Sequence, residues 1–408
     1  MDGAVHETEA RTRRIAVLAT LDTKSDEADL MARAIRARGH EAVLFDFSIP
    51  APGRLPAQVT REQIALASGE ERVAGEDRTS SMARVARGAA KILAAGVADG
   101  TLHGVVGLGG GTGSWMAAEA MRELPLGFPK LIVTTFVHGD GANDIAILPT
   151  VADIAGVNRL LGPVLVNAAG AICGMAEQPA VEFPTRRATV AMTMFGVTTA
   201  GGDALRASLE AAGCEVVVFH ATGSGGLAME RLAREGRFDA IVDWTTSEVT
   251  DHLVGGICTS GPTRLDAAAD LGIPQVVVPG AVDVINVHLP IPEKFVGRVH
   301  HMHLPTVPLI RASVEENAQI GAWIAAKLAR STGPAAVVIP RGGFSSLDIA
   351  GGEFWDPAAT DAFESAIRAG LPDSIPVTVR DEHINDPEFA RAVADTVLAM
   401  LPATSKEN

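Results

Sequence analysis

Residues 107–114 read Gly-Leu-Gly-Gly-Gly-Thr-Gly-Ser, with five glycines in the first seven positions. A short apolar run at 104–106 precedes them, and a stretch rich in Ala, Met, Glu and Arg at 115–124 follows. Strand, glycine loop and helix in that order make an anion cradle. Glycines let backbone N–H groups turn inward without Cβ clashes, and the helix N-terminus adds the positive end of its dipole. Gly109, Gly110, Gly111, Thr112, Gly113 and Ser114 are therefore the candidate phosphate contacts. The loop matches neither G-x-x-x-x-G-K-[ST] nor G-x-G-x-x-G, and a plain strand-to-helix turn would carry the same glycines. A second polar loop, Thr20-Leu21-Asp22-Thr23-Lys24, follows the apolar run at 14–19. Lys24 suits a phosphate, and Asp22 a ribose hydroxyl or a metal. Thr134 and Thr135 end a further apolar run at 130–135 and offer hydroxyls, as does Thr23.

The second half carries its own set. Gly223-x-Gly225-x-x-Ala228 fits the relaxed dinucleotide fingerprint, with Asp243 twenty residues past Gly223. His220, Glu248, Asp251, His303 and Arg311 supply imidazoles, carboxylates and a guanidinium, the material of general acid–base catalysis on a small organic acid. Glu248 and Asp251 would equally serve a helix starting near Thr246. His301 and His303 alternate on an extended segment and share a face, but no adjacent carboxylate or cysteine completes a metal set. Substrate contact or ordinary loop histidines is the preferred reading.

These residues need strands to carry them to one edge. Continuous apolar runs at 14–19, 41–46, 130–135, 188–195, 214–220, 238–243, 275–279 and 335–340 read as buried parallel strands, with helical stretches between them. Thr23-x-x-Asp26 and Ser313-x-x-Glu316 fit capping boxes opening helices. Residues 49–75 show no clear period and read as a long excursion. The stretch 136–141 reads as another glycine-bearing loop. The fold class is α/β: two doubly wound Rossmann-like domains with mainly parallel sheets and ligand loops facing an interdomain cleft. The domains span 13–177 and 188–408, joined by a Pro-containing linker at 178–187, after a disordered tail at 1–12. In such sheets ligands lie beyond the carboxyl ends of the strands.

The 408 residues are 47% hydrophobic, enough for sizeable cores, and carry a net charge of −15. No broad basic face is available for a polyanion, which argues against a nucleic-acid partner. Cys173, Cys214 and Cys258 are few, odd in number and far apart, as in a reduced cytoplasmic protein. No apolar run reaches the roughly 18 residues of a membrane span, and no signal peptide is expected.

The motifs resemble the Tm-one-like ATP-binding family, named after the N-terminal region of the tomato mosaic virus resistance protein. The resemblance rests on residues 20–24, 107–114 with Ala120-Met121-Arg122, and 153–158 in the first half. In the second half it rests on residues 192–199, 218–226 and 280–283. It implies two α/β domains, a homodimer, and an ATP site in the first half at the 20–24 and 107–114 loops. Mg²⁺ would accompany the nucleotide, with Asp22 or Asp144 as ligand. The alternative is a catabolic or ligase-type enzyme acting on a small organic acid in the cleft, with ATP as substrate or regulator.

Overall fold

A computed structural model of the chain describes residues 12–70, 77–136, 143–179, 181, 183, 184 and 186–402. Nearly all of the expected tail, and the expected loop beyond Phe136, lie outside the described residues. The chain forms two compact units, one ending at Phe183 and the other beginning at Pro184.

The first unit runs β1 (Arg14–Ala19), α1 (Ser25–Ala37), β2 (Glu41–Asp46), α2 (Arg61–Ser68), α3 (Arg78–Ala98) and β3 (Gly104–Gly109). It continues with α4 (Gly111–Met121), β4 (Lys130–Thr134), β5 (Ala146–Pro149) and α5 (Leu161–Glu177). The strands form one sheet in the order β2-β1-β3-β4-β5, parallel at every pairing. Side chains alternate between the faces, so each unbroken apolar strand feeds two cores. Ile15 and Val17 pack with Met31, Ile35, Leu165 and Ile172 on the α1–α5 face. Ala16 and Leu18 pack with Leu93, Met116 and Met121 on the α3–α4 face. The stretch expected as a long excursion contains α2, whose start is fixed by a capping box between Thr60 and Gln63.

The second unit begins β6 (Thr189–Met194), α6 (Thr199–Ala211), β7 (Glu215–His220), α7 (Ser224–Arg234), β8 (Ala240–Thr245), α8 (Ser247–Val254), α9 (Asp266–Leu271) and β9 (Gln275–Gly280). It ends β10 (Val284–Asn286), β11 (His300–Leu304), β12 (Val307–Arg311), α10 (Val314–Leu328), β13 (Ala335–Pro340), α11 (Pro357–Gly370), β14 (Val377–Arg380) and α12 (Pro387–Met400). Six strands form a parallel sheet in the order β14-β13-β9-β8-β6-β7. The other three make a small antiparallel sheet, β10-β12-β11, that the parallel rhythm did not announce. Trp244 is wholly buried between the sheet and Phe389 of α12. The capping box at Ser313 and Glu316 opens α10 as its spacing requires. Among the described residues, no helix is long and apolar enough to cross a membrane.

Candidate functional site

In the first sheet the chain steps from β1 to β2 on one side, then returns to β3 on the other. The crevice between the β1 and β3 ends is thus a topological switch point, the usual ligand position in open α/β sheets. The 20–24 loop leaves β1 there, and the glycine stretch leaves β3. The helix after β3 starts at Gly111 with Gly110 as its N-cap, four residues before the expected start at Trp115. The second half of the glycine stretch, residues 111–114, is thus the first turn of α4. Neither α1 nor α4 has a side-chain cap. The box expected from Thr23 and Asp26 does not form: Lys24 is the N-cap, and Thr23 turns its hydroxyl to that of Thr20 at 3.1 Å. Two helix N-termini therefore reach this edge with their first-turn amides uncapped by side chains.

The glycines divide by task. A Cβ at Gly107 would lie 2.4 Å from Cβ of Ala117, and one at Gly109 would lie 2.8 Å from Cα of Gly113. Those two let α4 press onto β3. At Gly111 a Cβ would meet nothing within 4 Å, and at Gly110 only the Thr135 hydroxyl at 3.5 Å. These two face open space. Ser114 is buried and its Oγ donates to the Gly110 carbonyl at 2.7 Å, so its side chain braces the turn.

The open space is a cavity of about 570 Å³. Thr20, Asp22, Thr23 and Lys24 form one wall and residues 110–113 another. Ile49, Pro50, Arg78 and Ser81 close the remaining sides. Arg78, at the start of α3, was not singled out from sequence, since 34 residues separate it from Thr112. Its Nη2 donates to Thr112 Oγ1 at 3.2 Å. Lys24 Nζ donates to the carbonyl of Ile154. Glu27 accepts from the Gly156 amide at 2.7 Å, so the 153–158 motif is pinned to α1. Asp22 is positioned by its backbone N–H, which donates to Ser48 Oγ at 2.8 Å. Its Oδ1 is buried with no hydrogen-bond partner among the described residues. Thr134 is buried and spends its hydroxyl on the backbone of Phe136. Asp144 pairs with Lys130 Nζ at 2.6 Å and accepts from the Gly127 amide at 2.7 Å. Lys130 opens β4, so Asp144 lies at the opposite edge of the sheet and is not a metal ligand for this crevice.

The second glycine turn is built differently. Gly223, the N-cap of α7, has φ of +94°, a conformation that glycine accommodates. Glu248 accepts from the amides of Gly223 at 2.7 Å and Gly226 at 3.0 Å. The chain's own carboxylate thus fills the anion seat that the turn creates. Glu248 is wholly buried, and Arg264, which the sequence reading missed, donates to it through Nε at 2.9 Å. The same guanidinium lies 2.6 Å from Asp243 and 3.4 Å from Glu230. Burial raises the carboxyls of Glu248 and Glu230, opposed by the Arg264 charge. The dinucleotide fingerprint therefore fails here: Asp243 is held by Arg264 and Gln275 inside the core, away from any ribose. Gly225 is required by packing, since its Cβ would lie 1.9 Å from the His220 carbonyl.

The other expected catalytic residues separate into two groups. Asp251 is buried and accepts from the amides of Cys258 and Asn286 at 2.8 and 2.9 Å, tying the loop after α8 to the end of β10. Burial pushes its carboxyl up to about 7. Arg311 is buried and donates to the carbonyls of Phe354 and Ala312, each at 2.7 Å. Glu248, Asp251 and Arg311 are thus internal anchors rather than an open acid-binding set. His220 and His303 do come together at the surface, flanking the Phe195 ring with centroids 5.7 and 6.2 Å away. His301 turns instead to Glu353 at 2.9 Å. Among the described residues, no group of three or more His, Cys, Asp or Glu is placed to hold a metal ion.

Comparison with known proteins places the chain among relatives. Models of an uncharacterised protein family, UPF0261, match its N-terminal domain to residues 13–180 and its C-terminal domain to residues 187–401. A UPF0261 protein of Clostridium tetani is 37% identical over 400 residues, covering 95% of this chain and 99% of the relative. One of Rhizobium meliloti is 40% identical over 392 residues, covering 93% and 97%. The tomato ToMV resistance protein Tm-1(GCR237) is 39% identical over 315 residues, covering 74% of this chain and 42% of the tomato protein. Among solved structures, MurG of Acinetobacter baumannii aligns at 12% identity and a TM-score of 0.22, covering 96% of this chain and 100% of its own. A UDP-N-acetylglucosamine 2-epimerase of Rickettsia bellii aligns at 8% identity and 0.22, covering 65% and 78%.

Proposed function

The chain belongs to the UPF0261 family, and from that premise we propose that it binds ATP in the crevice at the ends of β1 and β3. One observation carries the reading. The N-terminus of α4 opens without a side-chain cap onto a cavity of about 570 Å³ lined by Lys24 and Arg78, whereas the matching turn of the second unit is closed by Glu248. Phosphate oxygens would accept from the amides of residues 111–113, with Thr23, Thr112, Lys24 and Arg78 supplying further donors. Among the described residues, two cations and two helix dipole ends face one carboxylate, Asp22, which favours a multiply charged anion. Asp22 Oδ1, buried and without a hydrogen-bond partner among the described residues, fits a Mg²⁺ carried in by the phosphates. The tomato relative is described as a virus resistance protein, and nothing in this site speaks to that role.

The test is thermal unfolding with and without ATP and Mg²⁺. Ligand at 100 times its dissociation constant adds about 2.7 kcal/mol of stability. Gly111→Val places its side chain in the open space and should abolish the shift while folding normally. Lys24→Ala should weaken it. A wild-type protein that does not respond overturns the reading.

A further inference from the structure

The cavity between the β1 and β3 ends is smaller than the whole of ATP. At about 30 Å³ for each water-sized group, about 570 Å³ holds about 19 non-hydrogen atoms, against about 31 in ATP and about 21 in its ribose and triphosphate together. The triphosphate chain and most of the ribose fill it. The base then lies at or beyond the rim.

Two kinds of wall meet in this cavity, and the strand order separates them. The amides of residues 111–113, Lys24 and Arg78 address oxygen. Lys24 and Arg78 each have N–H donors beyond the one spent on Ile154 and on Thr112. Amides and cations on a phosphate chain touch nothing that differs between one nucleoside triphosphate and another. The apolar lining among the described residues is Ile49 and Pro50, carried by the loop after β2. Strand β2 lies on the other side of β1 from β3, so this pair sits past the phosphate seat, toward the sheet edge. The loop is held in place. Asp46 accepts from the Ser48 and Gly53 amides, each at 3.0 Å, and Ser48 Oγ accepts from the Asp22 amide at 2.8 Å. Ile49 packs on the α3–α4 core, and its carbonyl accepts from Arg61 Nη2 at 3.1 Å. Pro50 has no N–H to offer. An aliphatic pair covers the face of an aromatic ring, which every base has, and leaves unread the edge, where bases differ.

We infer that the site selects the triphosphate chain rather than the base, so that its ligand class is nucleoside triphosphates at large, with inorganic triphosphate among them. This deepens the nucleotide reading and rests on it. The phosphate chain lies at the β1–β3 crevice, and the nucleoside extends toward Ile49 and Pro50. Affinity then follows the number of phosphates and is indifferent to the base.

The experiment is calorimetric titration of the full chain, with Mg²⁺ throughout, by ATP, GTP, CTP, UTP, AMP and sodium tripolyphosphate. Tripolyphosphate is also titrated into protein already loaded with ATP. The four nucleoside triphosphates should bind within about fivefold of one another, and AMP at least about tenfold more weakly than ATP. Tripolyphosphate should bind the free protein and compete with ATP. Arg78→Gln, at an exposed position, should weaken the four nucleoside triphosphates and tripolyphosphate by a common factor. ATP binding with GTP, CTP or UTP more than about fivefold behind would overturn the inference and leave the nucleotide reading standing. So would ATP binding that tripolyphosphate does not displace, or an AMP that binds as tightly as ATP. Tripolyphosphate binding with no response to any nucleotide would overturn the nucleotide reading and keep the phosphate seat. No response to any of the six ligands would overturn both.

Discussion

Glu248 occupies the position on α7 that a phosphate would take, and it shares Arg264 with Asp243 and Glu230. Removing it leaves two buried amides unpaired and the guanidinium short of one counter-charge. Breaking a buried pair costs about 3–5 kcal/mol, so Glu248→Ala should lower the urea midpoint sharply. Glu248→Gln, which keeps an acceptor for the amides, should lower it less. A near-neutral Glu248→Ala would return this residue to a ligand-binding role. Asp283 makes a different prediction. It is wholly buried, accepts from Ser345 Oγ at 2.6 Å, and lies in the field of Asp348 and Arg311. Asp348 in turn accepts from the Phe344 amide at 3.0 Å and feels the charge of His383. Burial first, then Asp348, pushes the Asp283 carboxyl from 3.8 up to about 7. The folded chain then keeps a proton that the unfolded chain has released. This contribution is present in full below about pH 4 and is lost as pH rises to about 7, at no more than about 1.4 kcal/mol per pH unit. Asp283→Asn should flatten that part of the stability–pH curve in a denaturation series. An unchanged slope would show that the proton is held elsewhere.

At the scale of elements, α4 and β3 decide which glycines matter. Alanine at 107 would press its Cβ to 2.4 Å from that of Ala117. Overpacking of this kind costs about 1–3 kcal/mol, so Gly107→Ala should lower the thermal midpoint. Alanine at 111 meets nothing within 4 Å and sits in the first turn of a helix. Its better helix propensity, up to about 1 kcal/mol, should leave the midpoint unchanged or raised. Equal losses at both positions would show that the stretch acts as one rigid loop rather than as a packing contact followed by an open turn. The pair also shows where sequence reading succeeds. Strands such as β1, β9 and β13 were legible because unbroken apolar runs belong to parallel sheets buried on both faces. The start of α4 was not, because glycine reads as loop wherever it clusters. The Ser313 box formed as spaced, while the Thr23 box lost its hydroxyl to Thr20 within the turn. The β10-β12-β11 sheet escaped because its strands are only three to five residues long.

At the scale of the whole molecule, the rhythm of strand and helix restarts after the prolines near 184, and the site divides accordingly. That the 20–24 and 107–113 stretches would meet was legible, because parallel strands deliver all their following loops to one edge. That Arg78 would join them was not, since its place depends on the path of α3 across the sheet. The Glu248–Arg264 cluster was equally hidden, because nothing in spacing links residues 230, 243, 248 and 264 before β8, α7 and α8 have packed. Each unit nevertheless owns its apolar core: the clusters around Val17 and Leu18 draw only on residues before 184, and that around Trp244 only on residues after it. Every described residue lining the β1–β3 cavity also precedes 184. A fragment of residues 13–183 should therefore unfold cooperatively and keep its ATP–Mg²⁺ stabilisation, while residues 184–408 should fold without responding to nucleotide. Both are large enough to bury a core of their own. Parallel thermal scans of the two fragments and the full chain decide the matter. A first fragment that unfolds cooperatively but ignores ATP would mean that the nucleotide site draws on the second unit. A response in the second fragment would move the site to the other sheet and undo the contrast between an open α4 and a plugged α7.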